Sequence, residues 1–205
     1  MRNRKPRSGW LLSLVLLVIV LSGTTLFTYA HERLAARWAF GIDGHAPLTG
    51  DWVGQLITAT GRARVVHVEL AIAEANSRSR SRVSQGAPHG TLEGTLHSCD
   101  EHGTIREYTV DGEPKDRDAR SFSIHAKPVE KPPSQGLTFN WIQGRWDGAD
   151  RLEMRPSFVW TRGTGAATGP DFPETQRDPE LSMQRGGEAE FSVMCERIRG
   201  QRSPR

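Results

Sequence analysis

Between residues 63 and 73 the apolar side chains fall on alternate positions, with Val66, Val68, Leu70 and Ile72 on one parity. On an extended chain every second side chain faces the same way, so this pattern describes a half-buried strand and does not fit the 3.6-residue period of a helix. The same beat returns along the chain. Residues 51–58 read as a first strand, joined to the second by the tight turn Thr60-Gly61-Arg62. Residues 91–99 carry Leu92 and Leu96, 104–110 carry Ile105, 119–127 carry Phe122 and Ile124, and 136–146 put Leu137, Phe139 and Trp141 on one face. Asp147-Gly148 is a turn signal, after which Leu152 and Met154 alternate in a return strand. Pro156 interrupts the next run, making 158–161 an edge strand or a continuation past a bulge. Residues 181–185 and 190–198 complete the series across Gly186-Gly187, with Phe191, Val193 and Cys195 on one face. Two registers stay open, because Tyr108 opposes Ile105 in parity and Phe122 and Ile124 are read on opposite faces.

Short sequential strands with tight turns predict an all-β domain, an antiparallel meander of eight to ten strands closed as a barrel or folded as a sandwich. Three segments fit no strand: 74–90 with its Ser-Arg repeat at 77–82, then 128–135 and 162–180. These read as long solvated loops.

Ahead of the strands the chain has a different character. Arg2, Arg4, Lys5 and Arg7 precede an apolar run from Trp10 to Leu21, and no charged side chain lies between Ser8 and Ala30. At about 1.5 Å per residue a helix of that length crosses a hydrocarbon core. The expectation is one N-terminal transmembrane helix, with 1–8 as a cytoplasmic basic tail, 9–30 as the anchor, 31–47 as juxtamembrane segment and linker, 48–198 as an exported β-domain and 199–205 as a disordered tail. Thr28-Tyr29-Ala30 leaves the alternative that 9–30 is a signal peptide and the domain is secreted after cleavage. By the positive-inside rule everything beyond the run lies outside, at the inner (cytoplasmic) membrane with the domain in the periplasm or outside the cell.

Charge then excludes one class of partner. Four of the 27 basic residues lie ahead of the apolar run and all 24 acidic ones lie after it, so residues 31–205 carry a formal charge of −1. Nucleic acid is not expected as a partner. The domain is thin in core formers, but Trp38, Trp52, Trp141, Trp146 and Trp160 and the regular alternation argue against disorder. Cys99 and Cys195 are the only cysteines; in an oxidising compartment a pair in a small domain is expected to be bonded.

Leu48-Thr49-Gly50-Asp51-Trp52, at the start of the first strand, resembles the Gly-x-Trp opening of the lipocalins and avidin-like proteins, the calycin group. The resemblance implies an antiparallel barrel closed at one end by Trp52, with an Arg from near the last strand across the ring. Arg197 and Arg199 are the candidates, a contact that is sensible as cation–π stacking. The Thr-Asp-Tyr signature of lipocalins and the biotin-site residues of avidins are absent.

No catalytic constellation is found and no cofactor is expected. His97, Cys99 and His102, with Asp100 and Glu101 between them, offer an alternative metal site, since residues 97 and 99 share a strand face. Ser123 and His125 share a face but have no nucleophile elbow around them. Asp147 and Asp150 flank a turn, and Arg162-Gly163-Thr164-Gly165 lacks the lysine of a phosphate loop. The aromatic set Trp52, Phe139, Trp141 and Trp146 is the candidate ligand-binding lining of a barrel interior or mouth. The sequence therefore points to a membrane-tethered, non-catalytic binding domain for an apolar small molecule or an envelope protein partner. A metal-binding protein or enzyme and a purely structural envelope module are the alternatives.

Overall fold

A computed structural model describes residues 8–35, 39, 47–58, 61–72, 91–130, 135–162, 165–167 and 179–200. The chain divides into two units, Met1–Ala35 and Ala36–Arg205. The Ser-Arg repeat at 77–82 and most of 74–90, 128–135 and 162–180 lie outside the described residues.

The first unit holds helix α1 (Ser8–Ala35). Eight consecutive large apolar side chains, Leu14 to Leu21, are exposed on it. Its second half is more polar: Ser22, Thr24 and Thr25 turn their hydroxyls back onto the carbonyls of residues 18–22. Among the described residues no helix is long and apolar enough to cross a membrane. The helix expected over 9–30 is present as part of α1, and no membrane-crossing helix is found among the described residues.

The second unit contains nine strands among the described residues: β1 (Gly50–Ile57), β2 (Ala63–Ile72), β3 (Leu92–Asp100), β4 (Ile105–Pro114), β5 (Ser121–Pro128), β6 (Gln135–Trp146), β7 (Arg151–Arg162), β8 (Gly165–Ala167) and β9 (Leu181–Arg185). Each pairs antiparallel with its neighbour from β1 to β7. β9 then fills the gap between β7 and β1, so eight strands close into a barrel and the short β8 hangs on the outer end of β7. Closure leaves no long unpaired edge, the liability of an open sheet. The expected meander is present and the barrel form is the one adopted.

The alternation explains the core. Trp52, Leu56, Val66, Val68, Leu70, Leu96, Phe122, Ile124, Phe139, Ile142 and Met183 all fall on the inward parity and belong to one continuous apolar cluster. Phe122 and Ile124, two apart on β5, share that inward face, correcting the reading that set them on opposite sides. In β4 the inward residues are Tyr108 and Val110, while Ile105 faces out and is exposed. The Phe122 ring occupies the volume a side chain at Gly144 would take, its direct partner in register.

Strand β6 departs from simple alternation. Its register with β7 shifts between Phe139 and Ile142, a β-bulge. The bulge reverses parity, so Ile142, Gly144 and Trp146 continue inward while Trp141 turns out of the barrel and is 47% exposed. This corrects the placement of Trp141 on one face with Leu137 and Phe139. The cause lies on β7, where Pro156, opposite Ile142, has no N–H to give the ladder. Ser157 repairs the gap: its Oγ accepts from the Trp141 amide at 3.1 Å and donates to the Trp141 carbonyl at 3.0 Å. On its other side β7 has left β9 after Met154, so no second partner is missed at Pro156.

The last expected strand is a helix. Residues Glu188–Gly200 form α2, which packs on the outside of β1, β2 and β3 through Phe191, Cys195 and Ile198. These are spaced four and three apart, one face of a helix, and Val193 is exposed. Glu190 starts it by accepting from the Gly187 amide at 2.9 Å, with Arg197 and Arg199 in the last turn favouring its C-terminal dipole. The helix runs through Arg199 and Gly200, which corrects the disordered tail expected from 199; positions 201–205 lie outside the described residues. Under α2 a second small core gathers Val53, Val65, Cys99, Phe191, Cys195 and Ile198, and Cys99 is bonded to Cys195 with Cα atoms 5.8 Å apart. The expected disulfide is present.

Candidate functional site at the polar end of the barrel

The two ends of the barrel differ in chemistry. At the end where β1 begins, Trp52 is fully buried and its Nε1 donates to the Leu48 carbonyl at 2.9 Å. The Arg185 guanidinium lies over the ring, 3.9 Å from its centroid. It also donates to the carbonyls of Thr49, at 2.7 Å, and Pro47. The covering cation is thus Arg185 of β9 and neither Arg197 nor Arg199, which sit on α2. Burial lowers the pKa of Arg185 from its ordinary value, while Asp150 and Asp51 act the other way. At the same end Trp146 is buried, donates through Nε1 to the Ala149 carbonyl at 3.1 Å and has Arg120 5.6 Å from its ring centroid. Asp147 caps the hairpin turn there by accepting from the Ala149 amide, the role expected of it. This end is plugged.

The opposite end, where β2 and β4 begin and β3 finishes, is polar inside. Arg64, Asp100, Ser98 and Arg106 fall on the inward parity of neighbouring strands, with Arg64 opposite Asp100 and Ser98 opposite Arg106. Tyr108 lies two residues further in. Ser98 and Tyr108 are each 1% exposed; among the described residues Ser98 Oγ has no hydrogen-bond partner, while the Tyr108 hydroxyl has no close one but is approached by the Arg106 side chain and the Phe139 backbone. Arg106, partly exposed, donates to the Leu137 carbonyl at 2.9 Å. Burial pushes the Tyr108 phenol above its ordinary 10.0, opposed by the nearby charges of Arg106 and Arg64 and by the Phe139 backbone. Buried polar groups are nearly always satisfied, and leaving one without a partner costs about 1 to 3 kcal/mol. Ser98 Oγ is such a group, on the strand position opposite Arg106. A further unpartnered atom, Thr138 Oγ1, is on the outward parity of β6 and is no part of the cluster. Ile57, Ile105 and Val129 are exposed around this rim.

Of the sequence candidates, Trp52, Phe139 and Trp146 are all core side chains, the first and last in the plugged end. Phe139 is the one near the polar end, edge-on to Tyr108 at 5.5 Å. Trp141 is on the outer surface, tilted against His125 at 5.2 Å, and His125 Nε2 is 3.1 Å from Asn140 Oδ1.

The alternative metal site is not assembled. Cys99 is committed to the disulfide, His102 sits in the turn beside Glu101, and among the described residues no group of three or more His, Cys, Asp or Glu is placed to hold a metal. His97 instead stacks on His67 at 5.9 Å, with Phe191 of α2 against both rings. His67 is buried and its Nε2 lies 2.9 Å from Asp51 Oδ1.

Sequence reasoning missed the polar end. Its signal was present in Arg106 and Tyr108, two apart on one strand, but Ser98 and Arg64 join them only through the register of three strands. No protein-family model, curated protein or solved structure matches the chain.

Proposed function

We propose that this protein is a non-catalytic binding domain of the cell envelope that takes a small apolar molecule at the barrel end bordered by Ser98, Arg106 and Tyr108. The observation that carries the reading is the buried Ser98 Oγ, without a hydrogen-bond partner among the described residues and beside Arg106 and Tyr108, opposite an end sealed by Trp52 and Arg185. A binding end and a plugged end on an eight-strand barrel also support a lipocalin-like build. The basic residues ahead of an apolar helix, and a disulfide in the domain, support export to the far side of the cytoplasmic membrane, with α1 as the targeting segment, retained there or removed.

Two measurements test this. A reporter enzyme active only outside the cytoplasm, fused after Arg205, is expected to be active; an inactive fusion of a stably expressed chain ends the envelope assignment. N-Phenyl-1-naphthylamine, neutral and apolar, is expected to brighten on adding the full chain more than on adding a peptide of residues 8–35. Equal brightening removes the small-molecule reading.

A second reading, an envelope protein as the partner, draws on Trp141. The bulge and Ser157 hold this ring outside the barrel, where an aromatic side chain serves a protein contact.

A further inference from the structure

The chemistry of the polar end says more about what occupies it. Ser98 Oγ and the Tyr108 hydroxyl are each able to donate, and both are nearly solvent-free. Arg106, opposite Ser98 in register and two residues nearer the strand start than Tyr108, donates to the neutral Leu137 carbonyl and lies beside the Tyr108 hydroxyl. No carboxylate is paired with Arg106 among the described residues. Asp100, on the same parity, spends Oδ1 on the amides of His102 at 2.9 Å and Thr104 at 3.0 Å in its own turn. The inward positions at this end thus carry two guanidiniums, of Arg64 and Arg106, against the one carboxylate of Asp100. Outside it the exposed apolar side chains change the character of the surface within one residue of the strand ends: Ile57 after Leu56, Ile105 before Arg106, and Val129 after Pro128.

We infer that this end binds an amphiphilic anion, a carboxylate or phosphate monoester on a single alkyl chain, with the head held by Arg106, Ser98 and Tyr108 and the chain lying over Ile105 and Val129. A charge-assisted bond from Arg106 and two hydroxyl donors match the several lone pairs of such a head group. The Phe139 and Tyr108 rings lie beneath the head as apolar floor. Partial exposure of Arg106 gives the head a route in from the rim. This inference rests on the binding reading above and specifies its ligand.

The test uses the full chain and calorimetric titration with octanoate, octyl phosphate, octanol, acetate and inorganic phosphate, the alkyl compounds below their micelle-forming concentrations. The expected result is one octanoate or octyl phosphate per chain, bound at least about tenfold more tightly than octanol, a difference of roughly 1.4 kcal/mol. Arg106→Gln is expected to abolish that preference. Because Arg106 also holds the Leu137 carbonyl, Ser98→Ala serves as the second variant. It is expected to raise the melting temperature, since the free protein no longer buries an unpartnered hydroxyl, and to weaken octanoate binding at least threefold. Octanol binding as tightly as octanoate overturns the head-group assignment and leaves the binding domain standing. Absence of binding by all three alkyl compounds overturns both. Acetate or inorganic phosphate binding as tightly as the octyl anions overturns the amphiphile in favour of a free anion. Ser98→Ala with unchanged affinity means that the hydroxyls serve an internal water, and it overturns the site.

Discussion

Arg185 and Trp52 are direct partners in register across β1 and β9, and the guanidinium of one covers the ring of the other. The contact joins the first barrel strand to the last. It also fixes the segment that enters the barrel, since the same guanidinium holds the carbonyls of Pro47 and Thr49.

Loss of that cation therefore removes three interactions at once. Arg185→Ala is expected to cost about 2 to 4 kcal/mol, from a desolvated cation–π contact and charge-assisted hydrogen bonds. Arg185→Lys is expected to recover less than half, because a point charge does not reproduce the planar fork. Arg197→Ala, on the exposed face of α2, is expected to stay within about 0.5 kcal/mol. Urea denaturation measures all three, and equal effects at 185 and 197 would refute the assignment.

The bond from Cys99 to Cys195 closes a loop with a sequence separation of 96, and the apolar contact beneath α2 is small. Reduction, or Cys195→Ala, is expected to destabilise the protein by about 2 to 5 kcal/mol. Amide exchange should quicken chiefly in Glu188–Gly200, with β5 and β6 changing little. Uniform loss of protection over the whole barrel would contradict a helix docked as a separate layer.

Asp116 supplies a pH dependence. Burial alone raises its pKa, but hydrogen bonds from the Ser121 hydroxyl and from the amides of Arg120, Ser121 and Asp118 outweigh that and hold it below its ordinary 3.8. A depressed folded-state pKa means that the unfolded chain takes up the proton first as pH falls. The stability Asp116 contributes is full above that ordinary value and is lost as pH drops through the folded value. Asp116→Asn should be less stable than the native chain at neutral pH, with the gap narrowing below about pH 4. A gap that widens in acid would reverse the sign and disprove the account.

The barrel was legible because its side chains obey a period of two, as at Val66, Val68 and Leu70, and because turns such as Asp147-Gly148 are spelled by residues with few other uses. Trp141 was misplaced because a bulge depends on the partner strand: the reason for it is Pro156, fifteen positions away, and no pattern within β6 contains it. The stretch from Phe191 to Ile198 satisfies two periods at once. Phe191, Val193 and Cys195 alternate, while Phe191, Cys195 and Ile198 make a helical stripe, and Glu190 with Arg197 and Arg199 carried the end signals that decide for the helix. Arg185 was overlooked for Arg197 and Arg199 because the true last barrel strand was taken to lie further along. The polar end was hidden for a deeper reason: Arg64, Ser98 and Arg106 come from three strands, and only their registers make them neighbours.

Six of the eight seams in the barrel join strands consecutive in the chain, whereas the seam between β1 and β9 brings together groups as distant as Thr49 and Arg185, 136 positions apart. As the chain folds, hairpins are free to zip one after another, yet the result remains a curled ribbon with two raw borders until its final strand arrives. The Trp52 and Arg185 latch is thus the event that ends the interval of stickiness, and a cell that delays it has to shield the ribbon in the meantime.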